Sequence, residues 1–184
     1  AYAEASKAVF EVFEQTTPLV EGLSIDEAFL DVGGLRRISG PPVDIAVRLR
    51  RDVLERGGLP ITVGVARTKF LAKVASGVAK PDGLLVVPPD GELDFLHPLP
   101  VERLWGVGHV TAGKLHRQGV MTVGQVAELP EATLVSMLGL PREHLAQVKR
   151  WTTDSTEVFA GQKPLSQLVE HARGFVAFQH YLAA

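Results

Sequence analysis

The sequence predicts an α+β fold, in which a mixed sheet with helices on one face is followed by a small all-helical unit. The first half shows helical and strand-like patterns in the order helix, hairpin, helix, strand, helix, strand. This order is typical of a βαββαβ layout that lacks its first strand. The prolines at 88, 89, 98 and 100 then mark a change in composition. Only helical patterns follow them, so we expect a second unit.

The first helix and the hairpin follow from apolar spacing and from a proline. Residues 1–15 carry apolar side chains on a mostly helical spacing. That helix ends before Thr17-Pro18, because a proline disfavours helical backbone in the residue before it. Residues 19–25 and 28–32 are then predicted to form the two strands of a hairpin.

The remaining elements of the first half are delimited by caps and turns. Asp44 is predicted to cap a helix that Gly57-Gly58 ends. Residues 60–66 are rich in β-branched side chains and predict a buried strand. Thr68 is predicted to cap a helix over 69–79. The turn signal KPDG at 80–83 then precedes a short strand over 84–87.

The second half shows short helical patterns over 109–118, 123–129, 131–138 and 142–151. The pattern is weaker in the last part of the chain, where one further helix is predicted over 164–173. No strict repeat or low-complexity tract occurs in the sequence.

Composition excludes several classes of protein. The formal net charge of -2 over 184 residues excludes nucleic-acid binding by overall positive charge, although it is compatible with a local basic patch. The absence of cysteine excludes disulfides and thiolate metal sites. No signal pattern or membrane-spanning apolar run is present, so we predict a cytoplasmic protein without a membrane partner. The chain begins in a helical pattern without an initiator methionine, so we expect it to be a fragment.

The most informative segment is 24–32, SIDEAFLDV, because two adjacent acids, Asp26 and Glu27, interrupt a strand-like apolar run. Burying a carboxylate without a partner is costly, so a bound cation or solvent must compensate. A regular strand directs neighbouring side chains to opposite faces, so joint action of the two acids requires a hairpin tip or a bulge. Mg²⁺ prefers such oxygens together with water and substrate phosphates. On these residues alone, a magnesium site and a solvated turn both stay open.

A second informative segment is 104–115, LWGVGHVTAGKL. Gly106 and Gly108 flank Val107 in a tight turn directly before a helix. The exposed N–H groups of such a turn and the helix N-terminus bind phosphate without regard to base identity. Residues 103–119 include no acid, and their lysine and arginine residues are Arg103, Lys114 and Arg117. A DNA-binding helix-hairpin-helix and an ordinary pair of packed helices both stay open.

Three lysines form a weaker candidate site. Lys69 and Lys73 lie four residues apart on one predicted helix, and Lys80 follows the end of that helix. An ammonium group there can bind a triphosphate. Lysines are also the usual residues of exposed helix faces, and the sequence has no P-loop motif. It also has no His-Glu-x-x-His zinc motif and no Gly-x-Ser-x-Gly nucleophile elbow.

Taken together, these segments resemble Y-family translesion DNA polymerases of the bacterial polymerase IV type. The resemblance rests on residues 2–13, 17–31, 64–76, 80–83 and 104–114, and it covers about residues 1–138. It implies that residues 1–98 form a palm domain with an incomplete βαββαβ (ferredoxin-like) fold that lacks its first strand. It further implies a helix-hairpin-helix thumb over 99–151 and a divergent tail over 152–184, with no little-finger domain.

The same resemblance implies a role for each candidate residue. Asp26 and Glu27 match the catalytic acidic pair that binds two Mg²⁺ ions, and Lys80 matches the lysine that contacts the incoming triphosphate. The turn residues Gly106, Val107 and Gly108, with Lys114, match the thumb segment that binds DNA. The implied reaction is template-directed transfer of a nucleotide from a dNTP to a primer 3′-hydroxyl. The implied partners are primer-template DNA, dNTPs and, for the intact protein, the sliding clamp; we expect a monomer.

The chain also departs from the family pattern. Family members carry another metal-binding aspartate on the first palm strand, an aromatic residue that excludes ribonucleotides, and a fingers domain, and none of these occurs in this sequence. Residues 140–184 do not match the family's continuation. We therefore expect this chain alone to be inactive or nearly so. The alternative is that the chain is a non-catalytic, polymerase-like module that binds DNA or serves as an adaptor.

Overall fold

The computed structural model describes residues 2–139 and 175–180, with side chains over 4–139. The chain divides into two compact units. The first unit comprises Ala1–Pro88 with Pro164–Ala184, and the second comprises Pro89–Lys163. None of the helices in the described part of the chain is long and apolar enough to cross a membrane.

The first unit contains four helices and five strands among its described residues. The helices are α1 (Tyr2–Thr16), α2 (Arg36–Ser39), α3 (Pro42–Gly57) and α4 (Lys69–Val78). The strands are β1 (Val20–Gly22), β2 (Glu27–Asp31), β3 (Ile61–Ala66), β4 (Leu84–Val86) and β5 (Phe175–His180). A short 3₁₀ turn, Gly33–Leu35, precedes α2.

The five strands form one mixed sheet in the order β1-β2-β5-β3-β4. The predicted hairpin is present as the antiparallel pair β1 and β2, with Glu21 opposite Phe29. Strands β3 and β4 are parallel. Strand β5 lies between β2 and β3 and is antiparallel to both, with Ala177 opposite Phe29 and Gly64. The mixed sheet expected from the sequence is therefore confirmed.

The expectation that strands end before the second unit is wrong, because β5 comes from the last part of the chain. Its partners lie more than a hundred residues earlier. A strand is stabilised chiefly by packing and pairing with its neighbours, so a local pattern does not reveal such a distant partnership. The helix predicted over 164–173 lies outside the described residues.

Helices cover both faces of the sheet. Ile61, Val63 and Val65 pack into a core with α1 and α3, which contribute Val9, Val12, Phe13, Ile45, Leu49 and Val53. Helix α4 packs on the opposite face of the sheet. It approaches so closely that a Cβ atom added at Gly64 would lie 2.1 Å from the carbonyl oxygen of Ala72. The prediction of helices on one face only is therefore wrong. All six residues of β3 are buried, which is typical of a strand covered on both sides.

Of the two predicted N-caps, the one at Thr68 is present and the one at Asp44 is not. Helix α3 begins with Pro42 after the N-cap residue Pro41, and no side chain caps it. The prediction that Asp44 caps this helix is wrong, because proline already suits the first helical position and Asp44 lies within the first turn. Gly58 ends the helix with φ of 66°. The predicted cap of α4 is confirmed, since the Thr68 hydroxyl accepts a hydrogen bond from the Leu71 N–H at 3.3 Å.

The second unit is helical in its described part. Its helices are α5 (Glu92–Leu96), α6 (His109–Arg117), α7 (Val123–Glu128) and α8 (Glu131–Leu138). The helices predicted over 109–118, 123–129 and 131–138 are confirmed, and the helix predicted over 142–151 lies outside the described residues. A small core joins α6, α7 and α8 and includes Val101, Ala112, Leu115, Val120, Val126, Leu134 and Leu138.

This unit begins after Pro88, earlier than the boundary predicted at residue 98. Hydrogen bonds within the unit explain the difference. The carbonyl oxygen of His97 accepts a bond from the Gly124 N–H at 3.0 Å, and that of Leu99 accepts one from the Val123 N–H at 2.9 Å. The segment after Pro88 therefore forms backbone hydrogen bonds with the start of α7 and belongs to the second unit.

Candidate functional site

The two candidate acids lie at the tip of the β1–β2 hairpin. Glu27 is the first residue of β2, and Asp26 lies in the preceding turn. The carbonyl oxygen of Glu27 accepts hydrogen bonds from the N–H groups of Leu23 at 2.8 Å and Ser24 at 3.2 Å, which close the turn. Asp26 and Glu27 are thus not successive residues of a regular strand. The strict alternation of a regular strand therefore does not direct the two carboxylates to opposite faces.

Further hydrogen bonds fix the hairpin tip in place. The Ser24 hydroxyl donates to the Asp26 carboxylate, and it also accepts a bond from the Asp26 N–H at 3.4 Å. The buried Ser6 hydroxyl of α1 donates to the carbonyl oxygen of Ile25 at 2.7 Å. The position of the acids therefore depends on α1 as well as on the hairpin.

Helix α4 contacts the hairpin through two ion pairs. The Lys73 ammonium lies 2.6 Å from Oε2 of Glu27, and both side chains are largely buried, with exposed fractions of 23% and 19%. The Lys69 ammonium pairs with Glu21 of β1. It also lies 5.6 Å from the ring centroid of Phe29, within the range of a cation–π contact. Lysines of α4 thus reach both strands of the hairpin.

Lys73 contacts a candidate site residue, although the sequence indicated it only weakly. It entered only as a weak candidate beside Lys69 and Lys80. The available signal was its position one helical turn after Lys69, which predicts that the two lysines share a helix face. The contact with Glu27 joins residues 46 positions apart, and a single sequence contains no information about that pairing.

Lys80 lies beyond the end of α4, at the start of the predicted turn. It is half-buried, and its peptide bond to Pro81 is cis. Asp82 in this turn has a positive φ of 46°. The Arg50 guanidinium of α3 donates to the Asp82 carboxylate at 2.6 Å and to its carbonyl oxygen at 2.7 Å. The turn after Lys80 is therefore held against α3.

The donor set at the hairpin tip suits a hard divalent cation. Asp26 and Glu27 are half-buried carboxylates on adjacent residues, and Mg²⁺ is commonly bound by one or two carboxylates with the remaining ligands from water and substrate phosphates. Among the described residues, no group of three or more histidines or acids could hold a metal ion. These two residues therefore fit part of a metal site, which phosphate oxygens would have to complete.

The second unit contains the predicted glycine turn. A 3₁₀ turn, Val101–Arg103, leads into residues 104–108, and α6 follows at His109. Gly106 has φ of 90°, which disfavours any residue with a side chain. Gly108 is the N-cap residue of α6, and no side chain caps this helix. The first N–H groups of α6 are thus left without a side-chain acceptor.

The charged residues around this turn differ in their surroundings. The Lys114 ammonium donates to the carbonyl oxygen of Leu138 at 2.7 Å, at the C-terminus of α8. A cation there also interacts favourably with the negative end of the helix dipole. Lys114 therefore joins α6 to α8, whereas Arg103 and Arg117 are exposed. His116 lies on the helix surface, 3.2 Å from the Glu102 carboxylate.

Two sequence models of known families match this chain, one over the acidic hairpin and one over the glycine turn. The sequence model of the impB/mucB/samB family matches residues 1–77, which include the acidic hairpin. A model of the helix-hairpin-helix motif of the same family matches residues 89–120, which include the glycine turn. The chain is thus similar to this family over residues 1–77 and 89–120. The resemblance to Y-family DNA polymerases is thereby confirmed.

The curated relatives are bacterial polymerases. The chain is 43% identical over 173 residues to DNA polymerase IV 2 of Mesorhizobium japonicum. This alignment covers 94% of this chain and 42% of the relative. It is 46% identical over 138 residues to DNA polymerase IV of Desulfatibacillum aliphaticivorans, covering 75% of this chain and 35% of the relative. The chain thus spans less than half the length of these proteins.

Solved structures give the same result for the fold. An insertion ternary complex of Dbh DNA polymerase superposes with a TM-score of 0.71 at 28% identity, covering 82% of this chain and 44% of that one. A DinB family error-prone DNA polymerase from Sulfolobus solfataricus gives a TM-score of 0.74 at 26% identity. The superposition covers 88% of this chain and 46% of that one.

The family resemblance also extends further along the chain than expected. An alignment that covers 94% of this chain over 173 residues cannot lie within residues 1–139. It therefore reaches the last part of the chain, where the sequence was expected to depart from the family. The motifs quoted for the resemblance all lie before residue 115, so they carried no information about this segment.

Proposed function

We propose that this chain is part of a template-directed DNA polymerase of the translesion type, in which Asp26 and Glu27 bind the catalytic metal. The observation that carries the proposal is the position of the two acids at a hairpin tip, within the segment that matches the impB/mucB/samB family. The curated relatives named DNA polymerase IV support the reaction class.

In this proposal the first unit is the palm and the second is the thumb. The mixed sheet with the acidic hairpin supports the first assignment. The match of residues 89–120 to the family's helix-hairpin-helix motif supports the second. The predicted order of βαββαβ elements remains part of the proposal.

The proposed chemistry depends on position and charge. Bound Mg²⁺, two ions in the intact enzyme, would lower the pKa of the primer hydroxyl and neutralise charge on the phosphates. The chain's own contribution is to hold Asp26 and Glu27 at the hairpin tip, through Ser6, Ser24 and Lys73. A reaction of this kind requires no side-chain nucleophile, because aligning the reacting groups supplies much of the acceleration.

Each unit is also proposed to contribute substrate contacts of its own. Lys80 is proposed to bind the triphosphate of the incoming dNTP, for which an ammonium group provides the charge. The turn at Gly106, Val107 and Gly108 is proposed to bind DNA phosphates through its N–H groups, since α6 has no side-chain cap. Lys114 is proposed to assist by joining α6 to α8, and its ammonium contact with Leu138 supports that role.

A chimeric enzyme tests the proposal. This chain would replace the matched segment of the Mesorhizobium japonicum relative, and primer extension would be measured with Mg²⁺ and dNTPs. We expect the chimera to extend primers, and we expect Asp26→Asn or Glu27→Gln to reduce the rate by about a thousandfold or more. Thermal unfolding and primer-template binding of each chimera serve as controls for folding.

The chimera also discriminates between the two candidate functions. A folded chimera that binds DNA but does not extend primers would contradict the polymerase proposal and favour a non-catalytic DNA-binding or adaptor module. For this chain on its own we expect little or no primer extension, because no third acid joins Asp26 and Glu27 among the residues the structure describes. A monomeric state, a cytoplasmic location and binding to the sliding clamp remain predictions.

A further inference from the structure

The two ion pairs between α4 and the hairpin are similar in construction but differ in their acids. Lys69 and Lys73 lie one helical turn apart on α4 and pair with Glu21 and Glu27. Both lysine side chains are largely buried, with exposed fractions of 13% and 23%. Glu21 lies in β1, whereas Glu27 belongs to the acidic pair. Only the second ion pair therefore involves a proposed metal ligand.

The Lys73 ammonium already binds one oxygen of the Glu27 carboxylate. Its distance of 2.6 Å from Oε2 of Glu27 is that of a direct charge-assisted hydrogen bond. A divalent cation on the same carboxylate would face a positive charge only a few ångströms away. In a partly buried site this repulsion is weakly screened.

We propose that Lys73 is a positioning residue that holds Glu27 in the absence of metal and competes with the divalent cation for it. The inference rests on the proposed function, since it takes Glu27 as a metal ligand. Phosphate oxygens bring negative charge and further ligands, so they offset the repulsion from Lys73. Lys73 thereby couples metal binding to the arrival of the nucleotide and keeps the site weak for a metal ion alone.

The test is Mn²⁺ binding to the full chain without nucleotide, measured by electron paramagnetic resonance. Lys73→Met removes the charge but keeps an unbranched side chain. Lys69→Met is the matched control, because it makes the same change one turn earlier on the same helix. We expect Lys73→Met to bind Mn²⁺ about three- to tenfold more tightly than the wild type, the range that one partly buried ion pair provides. We expect Lys69→Met to stay within twofold of the wild type.

Two additional variants connect the effect to Glu27. Lys73→Arg keeps a cation at the position and should bind Mn²⁺ about as weakly as the wild type. In a Glu27→Gln background, Lys73→Met should produce no gain in affinity. Thermal unfolding of each variant shows whether it is folded, so a misfolded variant cannot be mistaken for a change in affinity.

The outcomes separate this inference from the proposed function. Equal affinity of the wild type and Lys73→Met, or weaker binding by Lys73→Met, would overturn the inference while leaving the metal site in place. An equal gain in Lys69→Met would also overturn it, because the effect would then reflect net charge alone. Binding of Mn²⁺ that Asp26→Asn and Glu27→Gln leave unchanged, or no binding by any variant at millimolar Mn²⁺ even after a dNTP is added, would contradict the proposed metal site itself.

Discussion

Gly64 shows how strongly a single residue constrains the packing of this fold. It lies in β3 where α4 crosses the sheet, and a Cβ atom there would lie 2.1 Å from the Ala72 carbonyl oxygen and 2.4 Å from the Ser76 nitrogen. Both neighbours are backbone atoms of the helix, so they cannot move aside as a flexible side chain can. The close contact brings α4, with Lys69 and Lys73, near the hairpin.

We therefore predict that Gly64→Ala destabilises the chain by about 3 kcal/mol, because the helix must move away from the sheet. Gly77→Ala is the matched control, since Gly77 lies in α4 with no atom within 4 Å of an added Cβ. It should change stability little or raise it by up to about 1 kcal/mol. Urea unfolding measures both variants. Equal stability of Gly64→Ala and the wild type would contradict the close packing of α4.

Local sequence predicts single residues well only where the relevant partners are close in sequence. Asp26 and Glu27 could be predicted as candidate site residues, because acids within an apolar strand-like run are unusual. Thr68 could be identified as a cap, because a cap contacts the helix that follows it directly. The contact of Lys73 with Glu27 could not, because the fold alone brings α4 and β2 together.

At the scale of elements, the glycine turn before α6 is the part of the second unit that is proposed to bind DNA. Gly106 supplies the positive φ, and Gly108 begins the helix with φ of -79°. Proline requires a φ close to that value, so it fits position 108 but removes the N–H group. Alanine also fits and keeps the N–H group, since no atom lies within 4 Å of a Cβ added at Gly108.

These two substitutions test whether the turn binds DNA through its backbone. We predict that Gly108→Pro weakens binding to duplex DNA by about three- to tenfold for any base sequence, whereas Gly108→Ala binds within twofold of the wild type. Fluorescence anisotropy at several salt concentrations measures both, and the affinity should fall as salt rises. If Gly108→Pro and Gly108→Ala bind equally well, the turn does not donate that N–H group to a phosphate.

Most elements could be predicted from the sequence, but not their arrangement. The hairpin, α4 and the helices of the second unit follow from apolar spacing and from turn residues, which act locally. The layering could not be inferred in the same way. The continuous burial of β3 required α4 on the face opposite α1 and α3, and the sequence suggested helices on one face only.

At the scale of the whole molecule, the order of strands connects distant parts of the chain. Strand β5 alone pairs with both β2 and β3, so among the described residues it joins the acidic hairpin to the β3–β4 half of the sheet. Since β2 carries Glu27 and β3 packs against α4, the geometry of the candidate site depends on this strand. The sequence gives no local sign of this role, because pairing partners across such a distance leave no periodic pattern.

Asp26 and Glu27 are proposed to bind together the divalent cation of a nucleotidyl transfer reaction. The most direct measurement is anomalous diffraction from crystals of this chain soaked with Mn²⁺ and a dNTP. We predict an anomalous peak within about 2.2 Å of a carboxylate oxygen from both residues, with the triphosphate completing the ligands. Ordered hairpin density with the dNTP bound, but no anomalous peak between these carboxylates, would contradict the account.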